Sequence, residues 1–208
     1  MLKDNTNLTA PFWEAVYNSP EGSAFGEPSN LVVALAKALS PGATVLDLGC
    51  GDGRHALFLA SHGFDVTAVD ISERGVNKTR LLASASGFAL RVEVGDMRSY
   101  HFERQFDLII SYGCLHLIKR TEWKPVLERI KAYTSPGGKN CIAVFTDTIP
   151  PPPDLSTFCI GLFREGELFE HYRDWQIEFQ RSDVLADAHP GDIHHTHHLN
   201  EIVAQRPD

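Results

Sequence analysis

The chain predicts an α/β fold: a doubly wound, mostly parallel sheet carrying helices on its faces. Three observations predict it. Short apolar runs closed by turn residues alternate with helix-length stretches through the first two thirds of the chain. A glycine-rich turn joins the first apolar run to the helix that follows it. Near the end, two strand-like runs follow one another with no helix between them, so they must lie antiparallel at the sheet edge.

LVVALAKAL spaces Leu31, Leu35 and Leu39 four residues apart, as one face of an amphipathic helix requires, and Pro41-Gly42 ends it. ATVLDLG is apolar and stops at glycine, the mark of a buried strand. A helix over 54–61 halts at His62-Gly63, and FDVTAVD is the next strand. Residues 73–85 form another helix, with Gly75 as its weak point. LRVEVGD and FDLIISYG are strands. The helix over 121–133 carries Pro125 in its first turn, where proline is tolerated, and Pro136-Gly137-Gly138 turns into the strand NCIAVF. IPPPPD is an extended, polyproline-like connector. A helix over 165–172, the strand WQIEFQR and the segment GDIHHTHHLNEIVAQRP complete the chain.

The length of 208 residues suits one domain. It divides into a helical extension or lid (1–40), a core (41–147), and a C-terminal helix with edge strands (148–208). A formal net charge of −8 argues against a nucleic-acid partner, because neutralising phosphates needs a basic face. No apolar run approaches the ~20 residues of a membrane-spanning helix, and MLKDNTNLTAPFW is not built as a secretory signal. The four cysteines (Cys50, Cys114, Cys141 and Cys159) form no CxxC pair and are expected as reduced, mostly buried thiols. These features imply a cytoplasmic protein, monomeric or homodimeric.

VLDLGCGDGRHALFLA concentrates the chemistry. Gly49 and Gly51 let backbone pass close beneath a ligand, and the helix opening near Gly53 aims free N–H groups and its positive end at it. The spacing is GxGxG; the GxGxxG pattern of nicotinamide-binding folds fails at Arg54. Asp47, just before the glycines, suits a ligand with a cationic end and would repel a diphosphate. Asp70 ends the second strand about twenty residues past the turn, where a carboxylate can hold the two hydroxyls of a ribose. Its other reading is a helix N-cap, for which Ser72 is the better candidate. Asp96-Met97 ends the third strand, where a carboxylate and a thioether can meet an adenine or simply cap the turn.

DLGCGDGRHALFLA, VTAVDIS, GDM and FDLIISYGCLHLI, in that order, resemble the class I S-adenosylmethionine-dependent methyltransferases over roughly residues 41–145. The resemblance implies a Rossmann-like, doubly wound, mostly parallel seven-stranded sheet with an antiparallel last strand, and S-adenosyl-L-methionine as cofactor. By position, Asp47, Gly49 and Gly51 would line its methionine and sulfonium end. Asp70, with Ile71 beside it, would hold the ribose, Asp96 and Met97 the adenine, and Ser111 or Tyr112 would cover the sulfonium. GCGDGRHALFLASHGFDVTAVD with FREGELFEHYRDWQIEF is similar, more narrowly, to the tellurite-resistance and thiopurine-methyltransferase-like enzymes. That implies a small-molecule acceptor, anionic or soft (sulfur, selenium or tellurium). The tail HHTHH departs from that pattern.

A soft anionic acceptor needs alignment and no base, whereas an alcohol or amine needs one. His116, at the carboxyl end of the fourth strand, is the candidate base, substrate ligand or local hydrogen bonder. In the tail, His195 and His197 would share one strand face and His194 and His198 the other. His194 and His197, with Arg54 and Arg164, are the candidate substrate contacts; no metal site is expected, and solvated edge histidines are the plain alternative. Phe12, Trp13 and Tyr17 read either as a lid over the cofactor or as packing of an N-terminal helix. Beside the enzyme stand two other readings: a cofactor-binding module without turnover and, further off, an NAD-dependent oxidoreductase.

Overall fold

The computed structural model describes residues 25–153, 155–189 and 193–208, together with Glu14, Tyr17 and Ser23. Phe12 and Trp13 lie outside the described residues. A seven-stranded sheet runs in the order β3-β2-β1-β4-β5-β7-β6. Its strands are β1 (Thr44–Leu48), β2 (Asp65–Asp70), β3 (Arg91–Val94), β4 (Phe106–Tyr112), β5 (Thr134–Phe145), β6 (Gln176–His189) and β7 (Ile193–Gln205). The first five are mutually parallel, and β7 lies antiparallel between β5 and β6. The chain reverses direction outward from β1, toward β2 on one side and β4 on the other. Such a switch point opens a crevice at the strands' carboxyl ends.

Alternation along β1 divides the core in two, as a period of two demands. Val45 points to the face covered by α1 (Asn30–Ala38) and α2 (Arg54–Ser61), through Val32, Leu35, Ala56 and Leu59. Leu46 and Leu48 point to the face covered by α4 (Arg120–Ala132) and α5 (Glu167–His171), through Trp123, Leu127, Ile130 and Leu168. The remaining helix, α3 (Glu73–Ser86), is N-capped by Ser72, whose hydroxyl accepts from Gly75 N–H at 3.1 Å.

Three local expectations need correction. Pro136-Gly137-Gly138 does not precede β5 but bulges out within it: Phe106 pairs with Thr134, whereas Leu108 pairs with Lys139. Helix α4 starts at Arg120, so Pro125 sits beyond the first turn and removes an N–H that would bond Thr121. Strand β7 is an interior strand, and three of its histidines, His195, His197 and His198, are buried rather than solvated. Among the described residues no helix is long and apolar enough to cross a membrane.

Candidate cofactor and acceptor site

A cavity of about 830 Å3 opens at the carboxyl ends of β1, β2, β4 and β5. Its floor is the turn after β1. Gly49 and Cys50 donate their N–H groups to Val69 O on β2 (2.8 and 3.0 Å), which folds the turn across the sheet. Gly49, Gly51 and Gly53 all have positive φ, a region that favours glycine. Packing adds its own demand. A Cβ on Gly49 would meet Cys114 Sγ at 2.4 Å, and one on Gly51 the Tyr17 hydroxyl at 2.8 Å. Gly75 belongs to the same construction, since a Cβ there would meet Gly51 O at 2.6 Å. What the sequence shows as a weak helix position is where α3 packs onto the loop.

Asp70 fixes the loop from the side. Its Oδ2 accepts from Gly51 N–H and its Oδ1 from Ser72 N–H, both at 2.8 Å. Burial raises its pKa, and those two donors pull it back down. Ile71, 60% exposed, continues the cavity wall. Deeper in the loop, Asp52 pairs with Lys78 at 3.0 Å, both buried, and accepts from Ser23 Oγ at 2.6 Å.

Asp47 lies beneath the turn, not on the cavity wall. It is 1% exposed, and its Oδ2 has no hydrogen-bond partner among the described residues. Burial raises its pKa to about 7 although Arg54 opposes the shift. Ser111 is also covered; its hydroxyl and Cys114 Sγ are 3.1 Å apart, and Cys114 takes the wall position instead. At the far side Met97 lines the cavity as expected. Asp96 does too, but its carboxylate is gripped by Arg98 through Nε (3.0 and 2.9 Å) and Nη2 (2.6 Å). That grip lowers its pKa, and an adenine amino group would have to share this carboxylate with Arg98.

At the other end Tyr112, His116, Phe145, His197 and Leu199 form the wall. Phe145 is sandwiched between His116 (centroids 4.2 Å apart) and His197 (4.1 Å). His116 Nδ1 accepts the Phe145 N–H at 3.1 Å, so its proton sits on Nε2. Burial lowers its pKa to about 3, with His197 adding to the shift, so it stays neutral. With Nδ1 engaged, the ring presents a donor to the cavity, which disfavours the base among its three readings and suits the substrate ligand or local hydrogen bonder. His195 and His197 share a face, with centroids 5.6 Å apart, while His198 turns to Thr146 Oγ1 at 2.7 Å. The side chain of His194 lies outside the described residues.

Two candidate arginines separate. Arg54 lines the cavity, donating to Phe25 O at 2.9 Å with its guanidinium 5.5 Å from the Tyr112 ring centroid. It thereby ties the segment before α1 over the site. Arg164 is away from the cavity, 65% exposed and paired with Glu167 at 3.2 Å. Sequence reasoning missed Arg181 and Glu201, which meet only through the β6–β7 register. Glu201 Oε2 accepts from Arg181 Nε at 2.7 Å, and its Oε1 takes the Tyr112 hydroxyl. It also missed Cys159 and Phe158, brought to the wall by a strap that Gly161 anchors to His116 O at 3.0 Å. Of the expected lid, Tyr17 is buried over Gly51 and lines the cavity.

The family described as tellurite resistance protein TehB matches residues 24–201. A Haemophilus influenzae protein described as a probable S-adenosyl-L-methionine-dependent methyltransferase TehB is 31% identical over 163 residues, covering 77% of this chain and 55% of its own length. The chain thus spans about half the length of that relative. The crystal structure of TehB from Haemophilus influenzae superimposes with a TM-score of 0.77 at 26% identity, covering 86% of this chain and 62% of that one. A Burkholderia thailandensis 1,6-didemethyltoxoflavin N1-methyltransferase, solved with its substrate and S-adenosylhomocysteine, gives a TM-score of 0.62 at 25% identity, covering 94% and 80%. With the sheet order, the glycine floor and Asp70 in place, this chain has the class I S-adenosylmethionine-dependent methyltransferase fold and belongs to the TehB family.

Proposed function

We propose that the chain binds S-adenosyl-L-methionine and transfers its methyl group to a small, soft or anionic nucleophile that arrives already deprotonated. The residues fit the cofactor. The Gly49–Gly51 floor has no room for side chains, Asp70 stands at the tip of β2, and Asp47 places a buried, unpartnered carboxylate oxygen under the turn. When bound, the cofactor supplies an electrophilic methyl on a positively charged sulfur. The glycine turn would hold the sulfonium end over the charge of Asp47 beneath it, Asp70 and Ile71 would hold the ribose, and Met97 and the Asp96–Arg98 pair the adenine. A diphosphate would meet repulsion from Asp47, which disfavours a nicotinamide cofactor.

The acceptor reading rests on one observation: His116, Tyr112 and Glu201, at the acceptor end, are poor proton acceptors. His116 has its Nδ1 engaged and burial opposes its charging. Burial raises the Tyr112 hydroxyl pKa, and Glu201 beside it adds to the shift. Glu201 spends both oxygens on Arg181 and Tyr112. A neutral alcohol or ammonium would find no ready acceptor for its proton among these three groups, whereas a thiolate or a selenium or tellurium oxyanion has none to lose. Neutral Nε2–H of His116 would orient such an anion. The aromatic and thiol lining excludes water, and the enclosed volume suits a small molecule rather than nucleic acid. The four cysteines, buried and in no disulfide, suit a reducing cytoplasm.

A methyl-release assay across thiols, selenite, tellurite, amines and phenols tests this. We expect turnover with the soft anions, rising with pH along each acceptor's own ionisation. Preference for amines or alcohols would contradict it, and tight cofactor binding without turnover on any member would favour a binding module.

A further inference from the structure

Among the described residues strand β6 is an edge of the sheet with no strand beyond it, and residues 176–184 along it are exposed. The register with β7 sorts its side chains. Phe179, Arg181, Asp183 and Leu185 lie opposite Val203, Glu201, Leu199 and His197, the face that carries the acceptor end of the cavity. Gln180, Ser182 and Val184 lie on the other face. The backbone orientation also follows. His198 gives its carbonyl to Thr146 N–H on the β5 side (2.8 Å), so Val184, its β6 partner, turns its own polar groups outward. Val184 N–H is covered there by the Asp183 carboxylate at 2.8 Å. The outward-facing backbone therefore belongs to Gln180, Ser182 and Val184.

This stretch, FQRSDVL, is complementary to itself. Turn it antiparallel about a two-fold axis at Ser182 and the outward backbone groups of Ser182 meet those of the partner's Ser182, and those of Gln180 meet those of the partner's Val184. In the same register Arg181 stands opposite the partner's Asp183, and Phe179 opposite the partner's Leu185. A salt bridge and an apolar pair therefore each form twice, with no like charges facing. Arg181 already pairs with an aspartate of this same motif, its Nη1 lying 3.8 Å from its own Asp183. We propose that β6 pairs in this register with a second copy of the chain, forming a two-fold dimer. Arg181 and Leu185 line the cavity, so the partner's Asp183 and Phe179 extend the acceptor wall, which one copy alone leaves open.

Sedimentation across a wide concentration range, with three variants, decides the matter. Ser182→Cys should oxidise to a covalent dimer, since residues on the axis face themselves at about 5.5 Å between Cα atoms, within disulfide reach. Gln180→Cys, facing the partner's Val184, should not, and the four native thiols are buried. Asp183→Arg places like charges opposite each other and should raise the dimer dissociation constant roughly tenfold or more while circular dichroism stays native. A wild-type chain that stays monomeric throughout overturns the proposal. So does a dimer in which Ser182→Cys fails to cross-link, or in which folded Asp183→Arg leaves the affinity unchanged.

Discussion

In the proposed function, Asp70 and Asp47 divide the electrostatic work of the cofactor end. Asp70 holds Gly51 and Ser72 by their N–H groups. Asp70→Ala should therefore weaken S-adenosylmethionine binding by ~1–3 kcal/mol, the order of a lost charged hydrogen bond, as read by calorimetric titration. Unchanged affinity would remove Asp70 from the ribose. Asp47 makes a subtler demand. With its pKa near 7 in the free protein, it is partly protonated at neutral pH, and a nearby cation favours its ionised form. Affinity for the sulfonium cofactor should then rise from pH 6 to 8, while affinity for S-adenosylhomocysteine, which lacks that charge, changes less. Asp47→Asn should flatten the difference. Equal pH profiles for the two ligands in the wild-type protein would separate Asp47 from the sulfonium.

At the scale of elements, Gly75 gives the sharpest contrast between local preference and packing. Helix propensity alone predicts that Gly75→Ala stabilises α3 by about 1 kcal/mol. The Cβ would lie 2.6 Å from Gly51 O, so we expect a lower melting temperature and weaker cofactor binding instead; a more stable variant with intact binding would refute the packing argument. The same contrast explains what the sequence made legible. Periodicity and turn chemistry place β1, α2, β2 and Ser72 well, because strand, turn and cap are local properties. The floor glycines, Asp70 and Met97 are legible for the same reason. Arg181 and Glu201 are not, because only the register of β6 on β7 joins them. The tail histidines look solvated in isolation, and burial comes from β7 lying between β5 and β6. His116 reads as base, substrate ligand or local hydrogen bonder until the Phe145 N–H is seen on its Nδ1.

For the molecule as a whole, buried titratable groups set the pH dependence of stability. His55 and His116 each have a pKa lowered by burial from 6.5 to about 3. Between those values the unfolded chain binds more protons, so each imidazole's contribution is present above pH 6.5 and is lost as pH falls toward 3. Asp47 runs the other way: its raised pKa favours the folded state below about pH 4, and that contribution disappears as pH rises through 7. With two imidazoles against one carboxyl, urea unfolding should show net loss of stability on acidification below pH 6.5. His116→Gln should reduce that slope by up to about 1.4 kcal/mol per pH unit. An unchanged acid limb would mean that His116 is not buried neutral.

The account turns on which nucleoside occupies the crevice above Gly49 and Gly51. Calorimetric titration of the purified chain with S-adenosylmethionine, S-adenosylhomocysteine and NAD settles it directly. We predict saturable one-site binding of the first two and none of NAD; NAD binding with indifference to both sulfur nucleosides would contradict the account.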